Sequence, residues 1–481
     1  MIKSIYKTAL FSFLLFFAAS CKKTFLDVYP TLSPAKEDYV NNITSSKEFL
    51  NGIYTDLGQY FYQSYNAMYA DIVADNIKPK LGSSTYFSVY SWNQGATDTR
   101  YFGSSGSSSV PNMNGLWTIG YKAIRSCNYL LENIDRFHIE NAVEADNIKG
   151  QAYALRAIIY HTLVTVFSQP YQFTADASHP GVPYVTSSDA LFDKGVARKT
   201  VGELYGFLIN DFNAAIPLLN PAATSKLYVT KNTAKAFLAR VYLYKGDFTA
   251  AKGLAVEVLK AVPIINGSSY VTKLFTANET EALLQIPPAQ TATNNYATNF
   301  PSYYFRTDIR FFATKDITDL INERAADARK VWVKDTAGAS NIRKFPSGAV
   351  SGITTPSEAY YLTVIRSSEM CLTAAEALAK IGKEDSAKIY LDYIRQRADG
   401  SATNSTATGA ALMDSIYKER RKELCFENFR MFDLLRTGKP VNRIDITSPA
   451  TAILPYPSNK AIAPIPLQDI QSYGLQQNTG Y

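Results

Sequence analysis

The sequence predicts a mainly α-helical protein in which degenerate helix–turn–helix hairpins form a curved scaffold, interrupted by long, irregular, loop-rich insertions. Three observations predict it. Apolar residues recur at helical spacing in paired stretches separated by short polar turns. Between the pairs lie stretches rich in Tyr, Ser, Thr and Asn with little sustained period. The chain, at 481 residues, is long enough to bury a large core without covalent staples.

Residues 1–20 read as an export signal. Lys3 and Lys7 precede an apolar run from Ala9 to Ala19, interrupted only by Ser12. A run of about eleven residues is too short to span a bilayer, which needs about twenty. Ala18-Ala19-Ser20-Cys21 closes the signal and resembles a bacterial lipoprotein processing site, with Ala18 where leucine is usual. Cleavage before Cys21 would leave that cysteine to carry the acyl chains, each buried methylene adding about 0.8 kcal/mol of membrane affinity. The mature chain is expected to run over residues 21–481 as one domain.

Removing the signal takes away Lys3 and Lys7 and no acid, so the formal charge falls from +7 to +5. The cations are scattered, and Arg420-Arg421-Lys422 is their densest internal run. Nucleic acid is not an expected partner; a solvated helix face accounts for the run. Cys127, Cys371 and Cys425 are far apart and odd in number, so no disulfide framework is expected.

The helical scaffold is expected mainly within 115–260 and 358–440. Ile148, Ala152, Leu155, Ile159, Leu163 and Val166 form one apolar face. After a loop, Val201, Leu204, Tyr205, Leu208, Phe212, Ala215 and Leu219 form its partner. The clearest hairpin runs from Asn232 to Lys260, broken at Gly246-Asp247, where Asp247 can cap the second helix. A third uses Cys371, Ala374, Ala375 and Leu378, turns over Gly382 to Asp385, and returns with Ala387, Tyr390, Leu391 and Ile394. Hairpins of this size resemble tetratricopeptide repeats, in which no unit buries its face alone.

Two insertions, about 71–114 and 268–357, are too long to be simple connectors, and loops of this length usually carry function. Gly103-Ser104-Ser105-Gly106-Ser107-Ser108-Ser109 within the first is a flexible linker by composition.

The segment Cys21-Lys22-Lys23-Thr24-Phe25-Leu26-Asp27-Val28-Tyr29-Pro30, followed by Lys47 to Tyr54, resembles the mature start and first helix of the SusD/RagB family. The segment Glu419 to Arg436 (ERRKELCFENFRMFDLLR) matches a further signature, with Asn428 at a position where the family usually has glycine in a tight turn. Ala463-Pro464-Ile465-Pro466 and Gln477-Asn478-Thr479-Gly480-Tyr481 resemble the family's C-terminal ending. The resemblance implies a lipid-anchored outer-membrane subunit, facing the cell exterior, that captures a glycan for a SusC-like TonB-dependent transporter.

No motif for catalysis stands out, and no cofactor or metal is expected. His138, His161 and His179 are not at metal-ligand spacing, and there is no phosphate loop or nucleophile elbow. A sugar binder instead needs exposed aromatic faces for C–H patches, with amide, carboxylate or cationic partners for hydroxyls. The first insertion offers Tyr86, Trp92 and Asn93, with Asp75, Asn76 and Lys78 upstream. The second offers Tyr296, Tyr303, Tyr304, Arg306 and Trp332. Trp117, beside a helical run, is assigned to the core. The competing expectations are a TPR-like protein-interaction scaffold, a peptide-capturing subunit of such a transporter, and a glycoside hydrolase with two carboxylates brought together only by folding.

Overall fold

A computed structural model of the chain describes residues 39–62, 67–80, 87–95, 113–189, 197–287, 309–336, 338–346, 361–446 and 448–481. The signal, Cys21 and the Gly103–Ser109 segment lie outside them. Helix α1 (Ile43–Asp56) contains the stretch Lys47 to Tyr54 and runs into a π-helical turn, Leu57–Phe61. Then come α2 (Asn114–Asn133), α3 (Ala142–Phe167), α4 (Val201–Leu218), α5 (Lys231–Lys245) and α6 (Phe248–Ala261). A short α7 (Lys315–Asn322) precedes α8 (Ser367–Lys380), α9 (Glu384–Ala398), α10 (Gly409–Glu423) and α11 (Arg430–Arg436).

The predicted hairpins form with local signals that explain their ends. Thr200 and Glu203 make a reciprocal capping box at the start of α4, and Thr230 with Thr233 does the same for α5. Gly246 ends α5 with φ +87°, a conformation that costs glycine little, and Asp247 caps α6 by accepting from Ala250 N–H. In the third hairpin the turn is tighter than expected, because α9 already begins at Glu384.

Consecutive helices pack on one another from α2 through α6, and α6 then packs directly on α8. The array therefore continues across the second insertion, which is set outside it. Small residues permit the close approach: Ala251 and Ala255 on α6, and Ala374 and Ala377 on α8, are fully buried. Between α3 and α4 a Cβ on Gly150 would sit 3.1 Å from the Ala215 carbonyl oxygen. Buried arginine forks add specificity to these contacts: Arg156 on Asp211 between α3 and α4, Arg240 on Glu369 between α5 and α8, and Arg436 on Glu376 between α11 and α8.

The run Arg420-Arg421-Lys422 does not form a solvated face. Arg420 and Lys422 are buried, Arg420 against Asp433 and Lys422 against Asp327, while Arg421 reaches Asp316 and Asp75. The signature segment thus turns its charges inward. Behind it, Arg329, Lys344, Arg366 and Arg397 meet Glu281, Glu419, Glu423 and Glu427 in one buried network. Despite its burial, Glu423 is held far below the usual carboxylate range by Arg397, Arg366 and Arg329.

The C-terminal motifs close the end of α3. Gln477 accepts from the Ile465 N–H and donates to its carbonyl, and Asn478 donates to the carbonyls of Phe167 and Ala463. Among the described residues, no helix is long and apolar enough to cross a membrane.

Candidate functional site

The two insertions meet in one four-stranded sheet. Strand β1 (Ile77–Pro79) comes from the first. From the second come β3 (Phe311–Ala313), β4 (Val333–Thr336) and β5 (Ala339–Ile342), in the order β1-β3-β5-β4. A separate pair, β2 (Ala282–Ile286) with β6 (Leu362–Arg366), ties the base of the second insertion to α8. Strands β1 and β3 run antiparallel, with Ile77 opposite Ala313 and Pro79 opposite Phe311, and Lys80 N–H donates to the Arg310 carbonyl at 2.8 Å. The described chain therefore stops at Lys80 and resumes at Ile309 at the same end of the sheet. Tyr86, in 81–86, and Tyr296, Tyr303, Tyr304 and Arg306, in 288–308, lie outside the described residues.

The root of this sheet is a set of ion pairs. Asp75 is buried and takes a two-pronged contact from Arg430, at 2.6 and 2.8 Å, from the signature segment. Burial alone would raise its pKa, but Arg430 and Arg421 hold it below the usual carboxylate range. Asn76 accepts from Arg421 at 2.9 Å. Asp75 and Asn76 thus anchor the strand and present no free group to a sugar hydroxyl, which corrects that expectation. Lys78 is half-buried, with its ammonium 2.6 Å from Asp445.

Trp92 is also anchored rather than displayed. It is 5 % exposed, its indole N–H donates to the Val73 carbonyl at 2.8 Å, and its backbone takes φ +57°. Its ring centre lies 4.2 Å from the Arg443 guanidinium, and that of Tyr90 lies 3.7 Å away. Arg443 donates to the carbonyls of Ile72, Ala74, Tyr90 and Thr451, so one buried cation gathers the loop from 72 to 92. Burial pushes its pKa down to about 10. Trp332 has no exposed surface at all: Tyr270 packs edge-on against it and the Lys344 ammonium sits 4.2 Å from its ring centre. The open aromatic face expected of Trp332 is absent, because the second insertion packs it into the main hydrophobic core. Trp117 is buried, as assigned.

Among the described residues of the first insertion, Lys80, Phe87 and Asn93 face outward. Asn93 is exposed, and Phe87 is 53 % exposed on the helical turn Phe87–Tyr90, which packs against β1. Phe87 was not singled out by sequence reasoning. No sequence signal separates it from Tyr90: three residues apart on a helical turn, the two rings lie on the same side with centres 6.3 Å apart, and only the packing of the turn leaves Phe87 exposed. Among the described residues, no group of three or more His, Cys, Asp or Glu is placed to hold a metal ion.

Comparison with known proteins follows this geometry. Residues 24–243 match a SusD-like family model described as starch-binding and associating with the outer membrane. Residues 314–481 match the model of the SusD family, SusD/RagB. The chain belongs to the SusD/RagB family. SusD-like protein P2 of Formosa agariphila is 26% identical over 376 residues, 67% of this chain and 71% of that protein. A crystal structure of a putative sugar binding protein from Bacteroides vulgatus superposes with a TM-score of 0.78 at 26% identity, covering 92% of this chain and 99% of that one. A SusD superfamily protein from Bacteroides thetaiotaomicron gives a TM-score of 0.77 at 25% identity over 91% of this chain and 100% of that one. The SusD/RagB signature over Glu419 to Arg436 is therefore the segment that joins the helical array to the root of the sheet.

Proposed function

We propose that this chain is a non-catalytic glycan-binding protein of the outer membrane, lipid-anchored at Cys21 and facing the cell exterior, that delivers its ligand to a SusC-like TonB-dependent transporter. One observation carries the reading: both insertions are built into a single sheet, rooted on a buried ion-pair frame, in which Lys80 and Arg310 pair at one end. A rigid frame joined to aromatic-rich loops is what recognition of a sugar surface requires. Phe87 and Asn93 supply an exposed ring and amide beside that end. The family's outer-membrane description and the sugar-binding description of the Bacteroides vulgatus neighbour support the same reading.

Five buried or partly buried carboxylates are engaged within the fold. Asp75, Asp327 and Asp433 are locked to arginines, while Asp71 and Glu279 accept backbone N–H groups from Asn428 and Phe275. Each serves the fold.

The experiment is a binding screen of the soluble protein from Lys22 onward against plant, host and microbial glycans, by affinity gel and calorimetry. A bound oligosaccharide recovered intact establishes a non-catalytic receptor. A negative result across the panel sinks the glycan reading. A second reading, a protein-docking scaffold, is favoured by Ile389 and Tyr393, one helical turn apart on α9 and 52 % and 54 % exposed. Co-purification with a barrel partner and no glycan affinity would select it.

A further inference from the structure

A cleft of about 80 Å³, separate from the sheet, opens among α3, α5, β6 and the signature turn. It is smaller than drug-sized sites, roughly 300–1,000 Å³, so its occupant must be small. Its walls alternate aromatic and polar surface. Tyr62, Phe275, Phe429 and Phe432 supply rings, while Thr162 and Thr165 contribute hydroxyls whose protons are already given to helix carbonyls, leaving oxygen lone pairs.

One polar atom on this wall is unanswered. His161 is 5 % exposed, packs between Tyr205 and Tyr244, and its Nε2 has no hydrogen-bond partner. A buried polar atom left unpaired is costly to the fold. Burial, with the Arg240 cation nearby, pushes the imidazole pKa down to about 3, so the ring is neutral. The charged groups on the same wall are matched by others: Arg240 by Glu369, and Glu427 by Lys344 and Arg366. A charged ligand would find no free counter-charge in these pairs, whereas a hydroxyl can serve a neutral imidazole as donor or acceptor.

We infer that this cleft is a second binding site, taking a small neutral polyhydroxylated ligand no larger than one sugar ring, with a hydroxyl on His161. The inference draws its ligand class from the proposed glycan function, but it stands on different residues from the sheet-end face.

The chain's three histidines make the test direct. Full-length mature protein with isotope-labelled histidine is titrated with glucose, galactose, mannose and xylose, and the imidazole signals are followed by NMR. His161→Leu assigns the signal. The expected result is a saturable shift of His161 with at least one sugar, while exposed His138 stays still. Thr162→Ile narrows the cleft but keeps the reporter, and is expected to weaken that response by about tenfold or more. No movement of His161 with any of the four sugars overturns the site. So does an equal shift in a folded Thr162→Ile variant. If polymeric glycans bind in affinity gels while His161 stays silent, the glycan function stands and this site falls. If His161 responds while the glycan screen is blank, the site stands and the glycan function falls.

Discussion

Asn428 and Asp71 hold each other across the junction between the signature segment and the first insertion. The Asn428 N–H donates to Asp71 Oδ2 at 2.7 Å, and the Asn428 side-chain oxygen accepts from the Ala70 N–H at 2.7 Å. Asn428 takes φ +65°, in the left-handed region where asparagine and glycine are the residues most at ease. The asparagine therefore keeps the tight turn and adds a side-chain bond that glycine could not make.

Substitution at Asn428 should separate those two contributions. Asn428→Gly keeps the turn and loses the bond to Ala70, at a cost of about 0.5–1.5 kcal/mol. Asn428→Ala loses the bond and adds the strain of a positive φ, about 1–2 kcal/mol more. Urea midpoints should rank wild type, Gly, Ala in descending order; an Ala variant as stable as Gly would show that the turn relaxes.

Asp71 and Glu279 predict an unusual pH slope. Burial pushes both up to about 7, Glu279 with help from Glu281. Unfolded, each releases its proton near its ordinary value of 3.8 or 4.5. The unfolded chain therefore holds fewer protons between those values and about 7, and the contribution of these groups to stability falls as pH rises through that window. Melting temperature should drop from pH 5 to pH 8, and Asp71→Asn with Glu279→Gln should flatten the slope.

The arginine-paired carboxylates act in the opposite sense. Asp75, Asp327, Glu427 and Asp433 are buried yet lie below their ordinary range because Arg430, Arg329, Arg366 and Arg420 respectively face them. Their contribution is present above the ordinary carboxylate values and is lost as pH falls through the lowered ones. Acid titration by circular dichroism should show cooperative loss of structure well below pH 4.

Breaking the buried network should be severe. Arg366 touches Glu281, Glu423 and Glu427 at once. Arg366→Met leaves carboxylates buried with fewer partners and should destabilise by about 3–5 kcal/mol or prevent folding. Lys235→Met, which removes the exposed pair with Glu257, is the control and should cost less than about 1 kcal/mol.

On the proposed ligand face, Phe87→Ala should lower glycan affinity about 10–100-fold with no change in melting temperature. Trp92→Ala should lower melting temperature first, because it strips a ring from Arg443 and a donor from Val73. Calorimetry paired with thermal melts checks both; unchanged affinity in Phe87→Ala removes that ring from the site.

The helical hairpins were legible because Ala, Leu and aromatic residues recur at 3.6-residue spacing and Thr, Asp and Gly mark the ends, as at Thr230, Asp247 and Gly246. Burial of charge was not. Arg420 and Lys422 have the composition of a solvated face, and their partners Asp433 and Asp327 are brought to them only by the fold. The same gap misplaced Trp92 and Trp332. An aromatic in a polar stretch looks available, yet each insertion sinks its tryptophan into the main core, and among the described residues of the first insertion Phe87 is a ring left outside. Nor could sequence indicate that His161 would be buried without a partner.

The sheet also joins distant parts of the chain. The Thr314 hydroxyl bonds the Asp75 carbonyl 239 residues away along the chain, so β1 and β3 are expected to meet after the intervening helices have brought their ends together. Pairings this distant are slow to nucleate and late to form. A destabilising change far off in the helical array would then surface as a smaller fraction of molecules presenting the loop face, with intrinsic affinity untouched. Titrations of such variants would show fewer binding equivalents per chain, not a weaker ligand.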